Sequence, residues 1–217
     1  MAETAATPTS SFHDSTPKDL TVRTSPASQL KEAFTAGSLA GTVELAELPF
    51  LTMVGLRADT RSEAGQRLAS VTGGLPAGCG QVVSNGETSV LWLGPAEFVV
   101  VAPTEAHESL GGDLIQALRD ALADGEGQVV DLSANRTTFE LNGPRARAVL
   151  EKGCSLDLHP RVFKAGTAYS TEIANIPVIL WKNGEESFRI FPRASFAEFL
   201  GRWLLDAMRE YASPEVP

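Results

Sequence analysis

The sequence has few residues suited to metal or thiol chemistry. Its 217 residues include three histidines and two cysteines. Cys79 and Cys154 lie far apart and form no CxxC pair, so we expect two reduced thiols, buried as small apolar side chains. This scarcity argues against a structural zinc site and against a disulfide framework.

Basic residues and long apolar runs are also scarce. Lysine and arginine together number 18 against 27 acidic residues, which gives a formal net charge of −9. Nucleic acids and anionic membranes bind cationic surfaces, so this balance argues against both as partners. No stretch approaches the roughly 18 apolar residues that a membrane span needs, and no apolar signal sequence follows the first residues. We therefore expect a cytoplasmic protein.

Familiar catalytic and nucleotide-binding patterns are missing from the sequence. GxGxxG, P-loop, HExxH and GxSxG motifs do not occur. Asp157 could tune His159 as a general base, but a loop that caps the preceding helix or contacts a partner is the favoured interpretation. His107 is expected on the solvated side of a helix. We predict no catalytic, cofactor-binding or metal-binding residue in this chain.

Residues 1–29 differ in composition from the rest of the chain. Eighteen of these 29 residues are alanine, serine, threonine or proline, and bulky apolar side chains are few. Such a segment buries too little surface to offset its conformational entropy, so we predict a flexible arm that includes His13. An alternative is that the arm becomes ordered on a partner.

The remaining body, residues 30–217, alternates strand and helix patterns. A capping-box spacing at Thr60–Glu63 predicts a helix that ends at Gly73-Gly74. A second helix is predicted from about Glu105 to Ala123, and a last one from Ser195 with an apolar stripe that includes Phe199. Val43–Arg57 is rich in strand formers, with an interruption at Pro49. The further predicted strands are Gln81–Val83, Ser89–Leu93, Glu97–Ala102, Val129–Leu132, Thr137–Leu141, Thr167–Ile173, Val178–Trp181 and Ser187–Phe191.

The two halves of the body resemble each other. Val90-Leu91-Trp92 matches Ile179-Leu180-Trp181, and Pro103 matches Pro192, both at an offset of 89 positions. Phe98 and Phe188 are one position out of this register. We predict an α+β fold of duplicated β-α-β-β-β-α ferredoxin-like halves, about 40–133 and 134–213, with antiparallel sheets and helices packed on one face.

A polar run, Ser133–Thr138, lies at the junction of the halves. Arg136 in this run could bind a small anionic ligand. The run could equally bridge the halves or contact a partner, and these structural roles are favoured.

Several segments resemble a known family. Val130–Thr137, followed by Gly143-Pro144-Arg145-Ala146, is similar to the strand-to-GPxA element of the folate-binding aminomethyltransferase superfamily. Val149–Arg161 is more specific and resembles the gamma subunits of heterotetrameric sarcosine oxidases. Further similar segments are Pro49–Arg57, Leu91–Pro95 and Pro192–Ala197, and together these segments cover most of residues 44–210.

The resemblance implies an accessory chain in a complex of alpha, beta, gamma and delta subunits. Such complexes demethylate sarcosine oxidatively to glycine, formaldehyde and hydrogen peroxide, or to 5,10-methylenetetrahydrofolate when tetrahydrofolate is present. FAD, FMN, NAD and zinc would belong to the other subunits. The alpha subunit would be the main contact of this chain, with the beta and delta subunits as further partners.

One departure from the superfamily is informative. Folate-binding members carry an Arg-Thr-Gly-Tyr-Thr-Gly-Glu run, and the matching stretch here, Trp181–Phe188, keeps only Gly184 and Glu185. No ligand role is therefore assigned to Glu185. We predict a non-catalytic gamma subunit that supports the alpha subunit. The alternatives are a stand-alone folate-dependent aminomethyltransferase-like protein and a homo-oligomeric binding module.

A subunit should expose apolar and arginine side chains at its interface. The candidate interface residues are Trp92, Arg136, His159, Arg161, Phe163 and Arg193.

Overall fold

Two five-stranded antiparallel sheets form the body of the protein, which the computed structural model describes over residues 23–212. The strands are β1 (Glu44–Glu47), β2 (Thr52–Arg57), β3 (Val82–Asn85), β4 (Thr88–Gly94), β5 (Glu97–Ala102), β6 (Gln128–Asp131), β7 (Phe139–Asn142), β8 (Thr167–Ile173), β9 (Ile176–Gly184) and β10 (Ser187–Pro192). The helices are α1 (Lys31–Gly37), α2 (Glu63–Thr72), α3 (Leu114–Leu122), α4 (Ala146–Glu151) and α5 (Ala197–Ala212).

The two sheets have equivalent strand orders. Sheet I runs β3-β4-β5-β2-β6 and sheet II runs β8-β9-β10-β7-β1, so each strand of one has a counterpart in the other. The predicted α+β class with antiparallel sheets is confirmed. The ferredoxin-like description of the halves stays a prediction. Strand β1 precedes sheet I in the chain and yet pairs with β7 of sheet II, where Glu44 lies opposite Asn142.

The sequence match at an offset of 89 is one position out of the structural register. The β4–β5 hairpin pairs Gly94 with Glu97, and the β9–β10 hairpin pairs Gly184 with Ser187, so equivalent residues are 90 positions apart. A slip of one residue moves every side chain to the other face of a sheet. Accordingly Trp92 packs toward the helices, whereas Trp181 packs between the sheets. Phe98 and Phe188 are the true equivalents.

Three apolar clusters show how the layers pack. One cluster lies between sheet II and helices α1, α4 and α5, and a second lies between sheet I and helices α2 and α3. The third joins the inner faces of the two sheets and includes Met53, Leu91, Trp181 and Phe191. The molecule is therefore a helix–sheet–sheet–helix sandwich, with the helices of each sheet on its outer face.

Helix α2 ends where the sequence predicts, but its cap differs. The Ser62 side chain accepts a hydrogen bond from the Gly65 backbone N–H at 3.0 Å, and Gly73 ends the helix with φ of +81°. Thr60, the predicted capping residue, lies two positions before this cap. Ser62 is the first hydroxyl residue that can reach an unsatisfied amide of the first turn.

The predicted helix from Glu105 to Ala123 is wrong over its first half. Two short 3-10 turns, Thr104–Ala106 and Glu108–Leu110, precede α3. Gly111 separates them from the helix with φ of +88°, and a Cβ atom on Gly112 would collide with the backbone of Ala106. Two glycines therefore interrupt a continuous apolar pattern.

The last helix begins two residues later than predicted. A 3-10 turn, Ala194–Phe196, precedes α5, and the Ser195 capping box does not form the helix start. Leu200, Leu204 and Met208 are buried as predicted, but Phe199 is exposed. None of the helices over residues 23–212 is long and apolar enough to cross a membrane.

Most of the predicted N-terminal arm, residues 1–29, lies outside the described part of the chain. Residues 1–22, including His13, lie outside the described residues. Residues 23–29 pack on the body, because Ser25 Oγ donates to a Glu47 carboxylate oxygen at 2.6 Å and the buried Ala27 donates its N–H to the other at 3.1 Å. The boundary predicted at residue 29 therefore lies too far along the chain.

Candidate functional site

Two of the six candidate interface residues come together in a groove beside sheet I. We call it the junction groove, because the chain passes there from sheet I to sheet II. Its volume is about 330 Å³. The side chains that define it are Arg57, Leu93, Glu97, Val130, Leu132, Arg136 and Arg193.

The polar run Ser133–Thr138 positions Arg136 at this groove. Arg136 and Arg193 form an isolated antiparallel bridge, and Arg136 Nη1 donates to the Phe191 carbonyl oxygen at 2.7 Å. Ala194 also donates its N–H to the Asn135 carbonyl oxygen at 2.9 Å. Because Ser133 Oγ also accepts the Met53 N–H of sheet I at 3.1 Å, the run bridges the two sheets, one of the three roles that the sequence leaves open.

The electrostatics of the groove are unusual for an acidic protein. Burial, and then the neighbouring positive charge of Arg193, hold the pKa of Arg136 below its usual range. Over residues 23–212, neither of these guanidiniums lies within 4.0 Å of a carboxylate. Arg57 pairs loosely with Glu97 at 4.0 Å. The arrangement can hold an anionic group beside an apolar surface.

His159 and Arg161 lie in an exposed turn and are not part of the groove. The Asp157 carboxylate accepts the backbone N–H of His159 at 2.9 Å, and His159 Nδ1 accepts the backbone N–H of Arg161 at 3.2 Å. The Asp157 carboxylate thus bonds to the backbone and not to the imidazole. The idea that Asp157 tunes a general base is therefore wrong, and these side chains close their own turn instead of capping the preceding helix α4.

Phe163 is buried, so its prediction as an interface residue is wrong for this chain. Its ring stacks on Phe188 with centroids 6.2 Å apart. Its neighbour Val162 is the exposed apolar residue, at 58%. Trp92 is half-buried against the cluster beneath α2 and α3. An alternating apolar pattern does not show which of two adjacent residues faces inward when the segment is a turn.

A serine–histidine–aspartate arrangement went unrecognised in the sequence. His107 Nδ1 lies 2.7 Å from Ser109 Oγ, and His107 Nε2 lies 3.1 Å from Asp131 Oδ2. Only 16% of the His107 side chain is exposed, so the prediction of a solvated histidine is wrong. Nδ1 also accepts the Ser109 backbone N–H at 3.1 Å, which makes the imidazole the cap of a 3-10 turn.

No sequence signal pointed to the contact between His107 and Asp131, because helix α3 separates the two residues in the chain. Burial alone would raise the pKa of Asp131. Hydrogen bonds from Ser133 and His107 outweigh burial and hold that pKa below its usual value of 3.8. The contact fastens the turns before α3 to the edge strand β6.

The burial of the two cysteines differs from the prediction that both are buried. Cys79 is exposed, and Cys154 is partly buried. Burial raises the pKa of the Cys154 thiol. Over residues 23–212, no cluster of three or more histidine, cysteine, aspartate or glutamate side chains could hold a metal ion.

Glu185 occupies an exposed position at the end of β9. Its side chain is 84% exposed and lies 3.5 Å from Lys182 Nζ. Lys182 itself is buried, and its Nζ also lies 3.4 Å from the Phe163 carbonyl oxygen. The carboxylate therefore points to a lysine and to solvent.

Sequence comparisons find one family along most of the chain. The model of the sarcosine oxidase gamma subunit family matches residues 63–210. A sarcosine oxidase subunit gamma of Corynebacterium sp. (strain P-1) is 51% identical over 197 residues, which cover 90% of this chain and 94% of that relative. A sarcosine oxidase subunit gamma of Arthrobacter sp. is 50% identical over 198 residues, with the same coverage of 90% and 94%.

Structure comparisons agree with the sequence comparisons. A chain of heterotetrameric sarcosine oxidase from Corynebacterium sp. U-96, in complex with pyrrole 2-carboxylate, matches with a TM-score of 0.83 and 47% identity. The match covers 90% of this chain and 99% of that one. The glycine cleavage system aminomethyltransferase T from Bartonella henselae matches with a TM-score of 0.58 and 16% identity, over 83% of this chain and 49% of that one. At that identity the likeness shows the fold alone.

Proposed function

The chain belongs to the sarcosine oxidase gamma subunit family, and we propose from this membership that it is the non-catalytic gamma subunit of a heterotetrameric sarcosine oxidase. The observation that carries the proposal is the match over 99% of a chain from such a heterotetramer, at 47% identity. The whole complex would demethylate sarcosine oxidatively to glycine, hydrogen peroxide and formaldehyde, or to 5,10-methylenetetrahydrofolate. We propose a cytoplasmic location for it.

The alpha subunit is the proposed main contact, with the beta and delta subunits in the same complex. FAD, FMN, NAD and zinc would be bound by those other subunits and not by this chain. The local chemistry supports a structural role. His107, Asp157 and His159, which are the groups best suited to proton transfer, each serve to cap a turn.

Co-expression with the alpha, beta and delta subunits tests this proposal. We expect the purified chain alone to release no hydrogen peroxide from sarcosine, and the complex to need this chain for assembly. Size-exclusion chromatography and a peroxide assay measure the two properties. Oxidation of sarcosine by the isolated chain, or full assembly and activity in its absence, would contradict the proposal.

The stand-alone folate-dependent alternative makes a different prediction. It requires this chain alone to bind tetrahydrofolate. Glu185, with 84% of its side chain exposed, lies beside Lys182 at a cavity of about 250 Å³, where the Arg-Thr-Gly-Tyr-Thr-Gly-Glu run of folate-binding members is not kept. Calorimetric titration of the isolated chain with tetrahydrofolate separates the two, because our proposal expects no saturable heat.

A further inference from the structure

We propose that the junction groove is the docking site for an acidic segment of a partner subunit, with a carboxylate of that segment held by Arg136 and Arg193. This inference rests on the proposed function and adds the place and the chemistry of one contact. It commits to a protein carboxylate and not to a free small anion.

The first observation is the geometry of the two arginines. Their backbones are paired in an isolated bridge, so both side chains start from adjacent positions at the end of β10. Arg136 is held in place by its hydrogen bond to the Phe191 carbonyl oxygen at 2.7 Å. A guanidinium has five N–H donors in a planar fork, which leaves donors on both arginines for a carboxylate.

The second observation is charge. Arg57, Arg136 and Arg193 line the groove together with a single carboxylate, that of Glu97, on a chain of net charge −9. Two neighbouring guanidiniums without a carboxylate repel each other, and burial adds to the penalty. A bound anion relieves both penalties, so the free chain is already arranged for a negative partner.

The third observation distinguishes a polypeptide from a small ion. Val130 lies in the groove with 47% of its surface exposed, next to Leu93 and Leu132. It belongs to β6, the edge strand of sheet I. A free carboxylate or phosphate would satisfy the arginines but leave this apolar surface in water. A segment that places an apolar side chain beside its acidic residue covers both.

Charge reversal at Arg193 in the complete complex is the first test. We expect Arg193→Glu to weaken the affinity of this chain for the other subunits by about 10- to 100-fold. The neutral variant Arg193→Gln should show a smaller loss and a shallower dependence of affinity on NaCl concentration than the wild type. Arg209→Glu is the control for charge reversal at an exposed arginine: Arg209 lies on α5 with 80% of its side chain exposed, and the change removes only its surface ion pair with Asp206.

Chemical crosslinking gives a readout that does not depend on the affinity change. The conservative variant Arg193→Lys places a primary amine in the groove while keeping the charge. A zero-length carbodiimide crosslinker should then join position 193 to an aspartate, a glutamate or the C-terminus of a partner subunit. Mass spectrometry of the assembled complex identifies the joined peptides. Urea unfolding of each variant shows whether it keeps the wild-type stability.

The outcomes separate this inference from the proposed function. If the wild-type chain fails to assemble with any subunit, the proposed function fails. If the wild type assembles and Arg193→Glu assembles equally well, or position 193 yields no crosslink to a partner carboxylate, only the groove inference is overturned. Saturable micromolar binding of inorganic phosphate to the isolated chain would also overturn it, because the groove would then be a small-anion site.

Discussion

Lys182 is a buried charged residue of sheet II, at a position where sheet I has an apolar side chain. Only 2% of its surface is exposed, and its hydrogen-bond partners lie at 3.4 and 3.5 Å, near the limit of useful contact. The equivalent residue in sheet I is Trp92, because Trp92 pairs with Phe98 as Lys182 pairs with Phe188. Weakly compensated buried charges reduce stability.

We predict that Lys182→Met raises the free energy of unfolding by about 1 kcal/mol. Methionine keeps the length of the side chain and removes the unfavourable burial of charge. Glu185→Gln, at the exposed partner, should change the free energy of unfolding by less than about 0.5 kcal/mol. Urea denaturation of the isolated chain measures both. A Lys182→Met variant less stable than the wild type would show that the ammonium group contributes net stability.

Adjacent residues in one turn should respond very differently to truncation. Phe163→Ala should lower the free energy of unfolding by about 3–5 kcal/mol, because it leaves a cavity beside Phe188. Val162→Ala should stay within about 0.5 kcal/mol of the wild type, since Val162 is 58% exposed. Thermal or urea unfolding measures the free energy of unfolding of both variants. Equal effects would mean that the turn packs differently in solution.

Sequence reasoning recovered the chemistry of single residues better than their surroundings. Arg136 and Arg193 are predicted as arginines of an interface, and the fold brings them together. Phe163 is predicted as an exposed apolar residue of the same interface, but it lies in the core. Nothing in one sequence shows that residues 136 and 193 are paired or that position 163 faces inward, because both depend on contacts between distant segments.

At the scale of elements, the start of α2 offers a direct comparison of predicted and observed caps. Ser62→Ala should lower the free energy of unfolding by about 1 kcal/mol, because the Gly65 N–H loses its acceptor. Thr60→Ala, at the residue that the sequence pattern favoured, should have little effect. Chemical denaturation of the two variants decides between the caps. A larger loss for Thr60→Ala would contradict the observed helix start.

The loop before α3 should give the protein an acid-sensitive contact. Because the pKa of Asp131 is lowered in the folded state, its contribution to stability is present above its usual value of 3.8 and is lost as the pH falls through the folded-state pKa. Asp131→Asn should therefore reduce stability at neutral pH and flatten its decline in acid. Unfolding free energies measured from neutral pH into this acid range test the prediction, with the exposed Asp124→Asn as control. An unchanged pH profile for Asp131→Asn would contradict it.

Local signals predicted most elements because they act within a few residues. Gly86, with φ of +59°, turns the chain between β3 and β4, and Gly73 ends α2 as expected. The helix predicted from Glu105 does not form over its first half, because Gly111 and Gly112 interrupt it. An apolar repeat alone does not reveal such a break. Propensity and periodicity are local, whereas the contact between His107 and Asp131 joins a turn to a distant strand.

At the scale of the whole molecule, one strand of the first half belongs to the sheet of the second half. The sequence repeat indicates two halves that follow each other, and the two strand orders match position by position. However, β1 comes from the first half and completes sheet II, where it pairs with β7. The inner faces of both sheets also share one cluster of buried side chains. No repeat pattern in the sequence could show which sheet receives β1.

The placement of β1 in sheet II predicts how the protein behaves when its chain is cut between the two halves. Fragment 1–133 contains β1 without β7, and fragment 134–217 has sheet II without its β1 edge strand. Each fragment also exposes its side of the inter-sheet cluster, including Met53 or Phe191. We expect neither fragment alone to unfold cooperatively, because each exposes apolar surface that the other normally covers.

Mixing the two fragments should restore a cooperative unfolding transition and native-like circular dichroism, because the strand pairing and the inter-sheet cluster can form again. A useful control is fragment 48–217, which removes β1 and all residues before it while keeping sheet I whole. It should fold less stably than the full chain, because β7 then becomes an unprotected edge and the residues beneath α1 lose their cover. Cooperative unfolding of fragment 134–217 alone would show that sheet II is stable without β1 and without sheet I.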